Sequence, residues 1–310
     1  MKTAYIAITY FCNQKCRFCP CSKEETTFPA IEFPRLKEMV DQFIESSGIE
    51  AVVISGGEPT LYPDFLELLS YLREKNLYVT VLSNAERFAN TSFVGKVGEV
   101  VDKSKFMVTT TLHSQKKEEH EWVNQTPGSF EHSVKGLLNL LEYGMKVTVK
   151  HCINKQNETE LKSFYQFVNS IFPEWADIQL CSIDYCGFEE GEKKTQMVSF
   201  PEIVPYMEEM FDCYIQDLEN GSRRKLYCIN MPLCAADPYY WDFFIMQSDK
   251  YSNYTAPVKD GDSSGTEEVE TATGTFCEEC EGCFVQKICP GTYRTAFEYY
   301  GNKIVKKYTE

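Results

Sequence analysis

The sequence has 310 residues, 43% of them hydrophobic, and a net charge of −15 at pH 7. This length allows a sizeable core, no apolar run reaches the roughly 20 residues that cross a bilayer, and an acidic surface argues against nucleic acid as a partner. The start, MKTAYIAITYFC, has no signal-peptide pattern, so we expect a cytoplasmic protein without a membrane partner.

Short apolar runs alternate with helical patterns up to about residue 185. The first run is AYIAITY, and a cysteine-rich loop and the helix pattern FPRLKEMVDQFIESS follow it. Five further runs continue the alternation: EAVVISG, YVTVLSN, FMVTTTL, KVTVKHCI and DIQLCSI. Because these runs are β-branched and apolar on both faces, they predict a parallel sheet covered by helices. Six such units predict an α/β fold, a partial (β/α)6 TIM-like barrel over residues 1–185.

Residues 186–310 predict a separate C-terminal domain. The stretch IVPYMEEMFDCYIQDLENG has a helical pattern, and residues 259–276 are acidic and poor in apolar side chains, which indicates a mobile loop. Two cysteines precede this loop and four follow it: Cys228, Cys234, Cys277, Cys280, Cys283 and Cys289.

Polar turns follow the predicted strands, and the carboxyl ends of parallel strands meet at one edge of a sheet. That edge is therefore the predicted active site. Its candidate residues are Gly56, Gly57, Glu58, Pro59, Ser83, Asn84, Thr111, His113 and Lys150. Alternative interpretations are an ordinary turn for the Gly-Gly pair, helix capping for Ser83 and Asn84, and a structural role for His113.

The loop after the first strand carries Cys12, Cys16 and Cys19 in CxxxCxxC spacing. A reducing compartment disfavours disulfides among the 14 cysteines of the chain. Structural zinc usually has four protein ligands, whereas three thiolates suit a 4Fe–4S cluster with one iron open to another molecule. Zinc or reduced core cysteines remain the alternative, and Cys21, which is out of spacing, is interpreted as a packing residue.

The segments CNQKCRFC and GGEP resemble the motifs of the radical S-adenosylmethionine (SAM) superfamily. The resemblance implies that SAM binds the open iron. One electron from the cluster would then split SAM into methionine and a 5′-deoxyadenosyl radical, which takes a hydrogen atom from a substrate. It also implies that Phe18 lies near the adenine and that the GGEP segment contacts the methionine part. The other candidate residues would face SAM or the substrate.

The segment CEGCFVQKIC resembles part of the SPASM or twitch domains of radical SAM enzymes. Tyr293 stands where a SPASM domain continues with another cysteine, so one auxiliary 4Fe–4S cluster is expected. The resemblance gives its ligands as Cys234, Cys280, Cys283 and Cys289, with Cys228 and Cys277 as alternates. A four-cysteine zinc site is the competing interpretation.

The middle of the chain, from TLHSQ to IDYCG, resembles the radical SAM maturase of the His-Xaa-Ser peptide system, with His120-Glu121 in place of its usual His-Asp. The resemblance implies an oxidoreductase that modifies a ribosomally synthesised peptide by crosslinking, oxidation or epimerisation. A small metabolite is the alternative substrate, and an iron–sulfur or zinc redox sensor is the non-enzyme alternative. Expected partners are an electron donor such as flavodoxin or ferredoxin and, because Cys12 lies so near the start, a separate leader-peptide-binding protein.

Overall fold

The computed structural model describes residues 1–19, 30–185, 195–246 and 274–309. Cys21 and residues 259–273 of the predicted acidic loop lie outside this range. In the described residues, seven strands form one sheet in the order β1 to β7. The strands are β1 (Thr3–Thr9), β2 (Ala51–Gly56), β3 (Tyr78–Leu82), β4 (Phe106–Thr111), β5 (Lys146–Cys152), β6 (Ala176–Cys181) and β7 (Leu226–Ile229).

Helices separate most of the strands, as the alternating pattern predicts. The described part of the chain has eight α-helices: α1 (Phe33–Ser47), α2 (Phe65–Glu74), α3 (Thr91–Val100), α4 (Lys117–Asn124), α5 (Ser129–Glu142), α6 (Leu161–Ile171), α7 (Phe200–Glu219) and α8 (Arg294–Tyr300). α1 has Pro34 in its first turn and is capped at its carboxyl end by Gly48, whose φ of 62° suits glycine.

Neighbouring strands run parallel, with β1 paired to β2, β2 to β3, β3 to β4, and β6 to β7. Sequential order and parallel pairing, with helices between the strands, confirm the predicted α/β partial barrel. The prediction of six strands was one short, because β7 extends the sheet beyond residue 185.

Contacts divide the chain into two compact units. The amino-terminal unit contains Met1–Thr111 and Asn124–Thr148, and the carboxyl-terminal unit contains Leu112–Val123 with the described residues of Val149–Lys250 and Thr271–Glu310. The division falls within β5, and the domain boundary predicted at residue 185 stays a prediction.

The amino-terminal unit buries the apolar stripes of its helices and most residues of β1 and β2, on both faces of these strands. Leu36 and Val40 of α1, Leu72 of α2, Val97 of α3 and Leu140 of α5 are each fully buried. Burial of such side chains is worth about 1.5–3 kcal/mol each before entropy is counted, so this helix layer fixes the backbone from which the turns at the strand ends project.

The carboxyl-terminal unit has an aromatic core. Tyr165 of α6 meets Tyr214 of α7 edge to face, and Phe211 stacks on Tyr240. The ring of His151 lies 3.9 Å from that of Phe164. Among the described residues, we find no helix with the length and apolar character needed to cross a membrane.

Candidate functional site

Three cysteines of the amino-terminal unit lie in the loop that follows β1. Cys12, Cys16 and Cys19 are half-buried thiols. A turn in which the Cys19 N–H donates to Cys16 O (3.2 Å) brings the last two together. Burial, and then the charges that Cys19 and Cys12 would carry, raise the pKa of Cys16. Thiols that repel one another's ionised form in this way become thiolates when a metal centre supplies compensating positive charge.

The turn after β2 is docked on the start of the cysteine loop. The N–H of Gly57 donates to Thr9 O (2.6 Å), and the N–H of Glu58 donates to Phe11 O (2.8 Å). A Cβ on Gly56 would clash with Thr9 O, and one on Gly57 would lie 2.6 Å from Tyr10 O. The glycines are therefore required by the approach of protein backbone, which is a different reason from the predicted approach of a ligand.

Glu58 is a buried carboxylate that joins this turn to the loop after β3. Its Oε1 accepts hydrogen bonds from the N–H and the hydroxyl of Thr60 (3.0 and 2.6 Å) and from the Ser83 hydroxyl (2.8 Å). Its Oε2 accepts from the Asn84 N–H (2.7 Å). Burial raises the pKa of Glu58, and these hydrogen bonds oppose that rise. Four protein donors thus occupy the side chain.

Asn84 connects the loop after β3 with the cysteine loop. Its Nδ2 donates to Asn13 Oδ1 (2.8 Å), while its Oδ1 accepts from the Glu86 N–H (3.0 Å). The second bond is the turn-forming contact expected from the capping interpretation. Ser83 accepts from the Ala85 N–H (3.0 Å), so its hydroxyl both donates and accepts within the protein.

Gln14 lies inside the CxxxCxxC motif and is buried. Its Nε2 donates to Glu86 Oε1 (2.6 Å), and its Oε1 lies 3.6 Å from Cys16 Sγ. The motif gave no signal for Gln14 or Glu86, because their contact joins residues 72 positions apart.

The remaining candidates of the amino-terminal unit are Phe18, Pro59 and Thr111. Phe18 is 9% exposed, Pro59 begins a short 3-10 turn, and Thr111 is the half-buried last residue of β4. Their predicted contacts with SAM stay predictions.

His113 and Lys150 belong to the carboxyl-terminal unit. The N–H of His113 donates to His120 Nδ1 (3.2 Å), and its carbonyl accepts from Asn157 Nδ2 (3.0 Å). Burial, followed by the charges of His120 and His151, lowers the pKa of His113. These contacts match the structural interpretation of this histidine. Lys150 is half-buried on β5.

A second cysteine site occupies a cavity of the carboxyl-terminal unit. Its walls include Cys234, Cys280, Cys283 and Cys289, the four residues predicted as auxiliary ligands. Burial comes first in raising the pKa of Cys234 to about 12, and the potential charges of Cys289 and Cys280 add to the rise.

Backbone N–H groups point at two of these sulfurs. The N–H groups of Leu233 and Gly291 lie 3.4 Å from Cys289 Sγ, and that of Tyr308 lies 3.5 Å from Cys283 Sγ. Such bonds stabilise thiolates and tune iron–sulfur clusters. The donor set therefore fits a four-thiolate cluster.

The alternate ligands differ from each other in position. Cys228 is fully buried within β7 and does not line the cavity, and burial raises its pKa. Cys277 Sγ lies 3.8 Å from Cys280 Sγ. Cys277 is therefore the closer competitor for the place of an assigned ligand.

Neither cysteine site has the spacing of a single-ion site. Throughout the described residues, no three His, Cys, Asp or Glu side chains are grouped closely enough to hold one metal ion. A four-iron cluster separates its cysteine sulfurs further than a zinc ion does, because Zn–S bonds are only about 2.3 Å long.

The sequence interpretation did not assign Cys152 and Cys181. Each is the last residue of a strand, β5 and β6 respectively. The sequence could have pointed to both residues. In KVTVKHC and in DIQLC a cysteine ends an apolar run, at the sheet edge that is predicted to be the active site.

Comparison with known proteins identifies the amino-terminal part of the chain. A family model of the radical SAM superfamily matches residues 6–168. The chain is 28% identical over 162 residues to Fe-coproporphyrin III synthase of Methanosarcina barkeri, covering 52% of this chain and 39% of that protein. It is 26% identical over 170 residues to the antilisterial bacteriocin subtilosin biosynthesis protein AlbA of Bacillus subtilis, covering 54% and 37%. The match thus spans about two fifths of each relative.

Solved structures show the same fold over most of the chain. SuiB of Streptococcus suis bound to S-adenosylmethionine superposes with a TM-score of 0.68 at 16% identity, covering 98% of this chain and 76% of SuiB. SuiB has also been solved bound to the precursor peptide SuiA.

Proposed function

The chain belongs to the radical SAM superfamily, and on that premise we propose that it cleaves SAM reductively and removes a hydrogen atom from a ribosomally synthesised peptide. The observation that carries the proposal is the docking of the Gly56–Glu58 turn on the loop that holds Cys12, Cys16 and Cys19. Backbone hydrogen bonds from Gly57 and Glu58 make this contact.

Cys12, Cys16 and Cys19 would hold a 4Fe–4S cluster that, when bound, supplies the electron that splits SAM into methionine and a 5′-deoxyadenosyl radical. The backbone at Gly56 and Gly57 would orient the methionine part, and Phe18 would pack near the adenine. Polar groups at Ser83, Asn84 and Thr111 would complete the SAM-binding surface, while His113 and Lys150 would contact SAM or the substrate.

In this proposal Glu58 is a positioning residue. Its four hydrogen bonds already occupy both carboxylate oxygens, so its effect on SAM is indirect. It fixes the turn after β2 against the Ser83–Asn84 loop, which in turn contacts Asn13 of the cysteine loop.

Cys234, Cys280, Cys283 and Cys289 would hold one auxiliary 4Fe–4S cluster in a twitch-like domain. Four protein ligands would leave it no open iron, so it would relay electrons instead of binding substrate. The cavity and the N–H groups directed at Cys289 and Cys283 support this assignment.

A peptide substrate is supported by the name of AlbA as a bacteriocin biosynthesis protein and by the complex of SuiB with a precursor peptide. A small molecule is the alternative, because another relative is named Fe-coproporphyrin III synthase. We further propose a cytoplasmic location, a flavodoxin or ferredoxin as electron donor, and a separate protein that binds the leader peptide. A gene for a short peptide beside this one would favour the peptide reading.

The test is anaerobic reconstitution with iron and sulfide, followed by addition of SAM and dithionite. The protein should bind about eight irons, from two four-iron clusters, and release 5′-deoxyadenosine and methionine. Cys16→Ala should lose about half of the iron and all SAM cleavage.

The matched control is Cys213→Ala, since Cys213 is half-buried on α7 and belongs to neither set of proposed ligands. It should keep its iron and its activity. An intact protein that binds iron but never cleaves SAM would contradict the enzyme proposal and favour a redox sensor. Zinc at the second site, with only about four irons in total, would contradict the auxiliary cluster.

A further inference from the structure

The side chain of Gln14 joins the cysteine loop to the loop after β3, within the amino-terminal unit. Its Nε2 donates to Glu86 Oε1 (2.6 Å), and its Oε1 accepts from the Cys16 thiol (3.6 Å). Its backbone N–H donates to Cys12 Sγ (3.4 Å). Gln14 is 9% exposed, so a buried amide lies between a carboxylate and a proposed iron ligand.

Glu86 determines which end of this amide faces Cys16. A carboxylate oxygen accepts hydrogen bonds and repels other acceptor oxygens. The amide nitrogen of Gln14 therefore points at Glu86, and the amide oxygen is left to face the sulfur of Cys16. The reverse orientation would place the amide oxygen against the carboxylate.

The backbone just before Glu86 is strained. Ala85 has a φ of 61°, in the left-handed region that residues other than glycine rarely adopt. Its N–H donates to the Ser83 hydroxyl (3.0 Å), and Gly136 of α5 packs closely against its carbonyl oxygen. Strained residues of this kind persist where the surrounding contacts enforce them, and they are common at functional sites. The fold thus enforces a costly conformation at the residue from which the chain continues to Glu86.

The carboxylate of Glu86 opposes the ionisation of a proposed iron ligand. Burial comes first in raising the pKa of Cys16, the charges of Cys19 and Cys12 follow, and the charge of Glu86 adds to the rise. The Glu86 side chain is 15% exposed, so water screens its charge only in part. Because an iron ligand must be a thiolate, this charge does not help Cys16 to bind metal.

We propose that Gln14 and Glu86 are positioning residues that lower the reduction potential of the 4Fe–4S cluster held by Cys12, Cys16 and Cys19. This inference rests on the proposed function, which assigns that cluster to the cysteine loop. Reduction adds one electron to the cluster, and a fixed negative charge nearby disfavours the added charge. Gln14 acts in the same direction, because its amide oxygen takes the place of a hydrogen-bond donor to one sulfur, and such donors help to set the potential.

A lower potential makes the reduced cluster a stronger reductant. The reaction that it would drive is the one-electron reduction of SAM to methionine and the 5′-deoxyadenosyl radical. Gln14 and Glu86 therefore favour the transfer of the electron to SAM, and they make the cluster harder for its electron donor to reduce.

The test is a potentiometric titration of the reconstituted protein followed by electron paramagnetic resonance. The signal that changes on addition of SAM identifies the cluster. Glu86→Gln should raise its midpoint potential, with the equilibrium constant for reduction about three to ten times larger, or about 30–60 mV for one electron. The titration is run at about pH 8, where exposed imidazoles are neutral, because His132 Nδ1 lies 3.8 Å from Glu86 Oε2.

Gln14→Leu is the second variant. It removes the amide oxygen from Cys16 and the donor from Glu86, so the midpoint should also rise. In the double variant, Glu86→Gln should add less than it does alone, because Glu86 is then no longer held against the cysteine loop.

Glu74→Gln is the matched control, since it removes the same charge from an exposed position. Glu74 ends α2 shortly before β3 begins, so it lies toward the sheet edge opposite to the cysteine loop. Its midpoint should equal that of the wild type.

The outcomes separate this inference from the proposed function. A wild-type protein without a signal that responds to SAM would overturn the proposed function. A responsive signal whose midpoint is unchanged or lowered in Glu86→Gln, or raised equally in Glu74→Gln, would overturn the inference. Iron analysis accompanies each titration, and if Glu86→Gln fails to bind iron, the midpoint of Gln14→Leu decides. A purely structural role would reduce the iron content without moving the midpoint of the clusters that remain.

Discussion

At the scale of single residues, Glu58 shows how the acidic residue of a short motif can hold the protein's own backbone in place. The carboxylate is 1% exposed and accepts from four donors on two separate loops. Because buried acceptors with several donors are costly to disturb, its effect extends from the turn after β2 to the loop after β3.

Glu58→Gln tests this role. The new amide nitrogen would face donors that need an acceptor, so we expect a loss of about 1–3 kcal/mol in the free energy of unfolding and weaker binding of SAM. Urea denaturation and equilibrium dialysis with SAM measure the two effects. Glu74→Gln, an exposed change at the end of α2, should alter neither, and an equally small effect at Glu58 would contradict the positioning role.

The six cysteines near the end of the chain give a second prediction at this scale. Cys289→Ala should remove about half of the bound iron, whereas Cys228→Ala and Cys277→Ala should leave iron content unchanged. Cys228→Ala should still lower stability by about 1 kcal/mol, because it opens a small void in β7. Iron analysis decides the matter, and loss of iron in either alternate variant would show that the ligand assignment is wrong.

At the scale of secondary structure, α5 supports the candidate site because its backbone packs directly against the loop after β3. Gly136 of α5 faces the loop after β3, where an added Cβ would clash with the Ala85 carbonyl oxygen and lie 3.2 Å from Ala89 N. Ser133, one turn earlier, donates to Asn84 O (2.7 Å). The position of this helix therefore fixes the loop that carries Ser83 and Asn84.

Gly136→Ala should destabilise the protein by about 1–3 kcal/mol, since backbone cannot move aside as a side chain can, and it should weaken SAM binding. Gly95→Ala in α3 is the matched control, because the nearest atom to its new Cβ is 3.6 Å away. That change should stabilise by up to about 1 kcal/mol through helix propensity. Thermal unfolding of both variants checks the contrast, which fails if the two shift in the same direction.

Sequence patterns predict some of these elements well and others poorly. The six apolar runs form strands because each places at least four β-branched or apolar residues within seven or eight positions. β7 escaped prediction because LYCI is only four residues long, and α4 escaped because KEEHEWVN has few apolar positions to reveal a helical period.

The candidate site, too, could be predicted only in part from the sequence. CxxxCxxC and GGEP are contiguous and could be read directly, whereas the Glu58, Asn84 and Asn13 connections join residues distant in sequence. Only the folded backbone brings them together.

At the scale of the whole molecule, buried histidines make stability depend on pH. Three of the four histidines, His113, His120 and His151, are buried in the carboxyl-terminal unit. Burial lowers the pKa of His120 and of His151 to about 4, from an ordinary value of 6.5. The folded protein therefore keeps these rings neutral where the unfolded chain protonates them.

Acid should destabilise the folded protein, because the unfolded chain takes up more protons. Below pH 6.5 the unfolded state binds protons that the folded state does not, so stability should fall as the pH drops from 6.5 to 4. Each histidine contributes about 3 kcal/mol at most. Urea midpoints measured across this range should drop steeply in the wild type and less steeply in His151→Gln.

His132→Gln is the control, because the His132 side chain is 58% exposed. Its pH profile should follow that of the wild type. A wild-type midpoint that stays constant between pH 6.5 and 4 would contradict a buried neutral state for His120 and His151.

The docking of the Gly56–Glu58 turn on residues 9–11 has a consequence for how the protein matures. Backbone hydrogen bonds from Gly57 and Glu58 hold the start of the cysteine loop, immediately before Cys12. The polypeptide thus sets the entry of the loop without help from iron, so the ordering entropy there is lost during folding and not during metal loading. A newly made chain would then fold first and receive its inorganic centre afterwards.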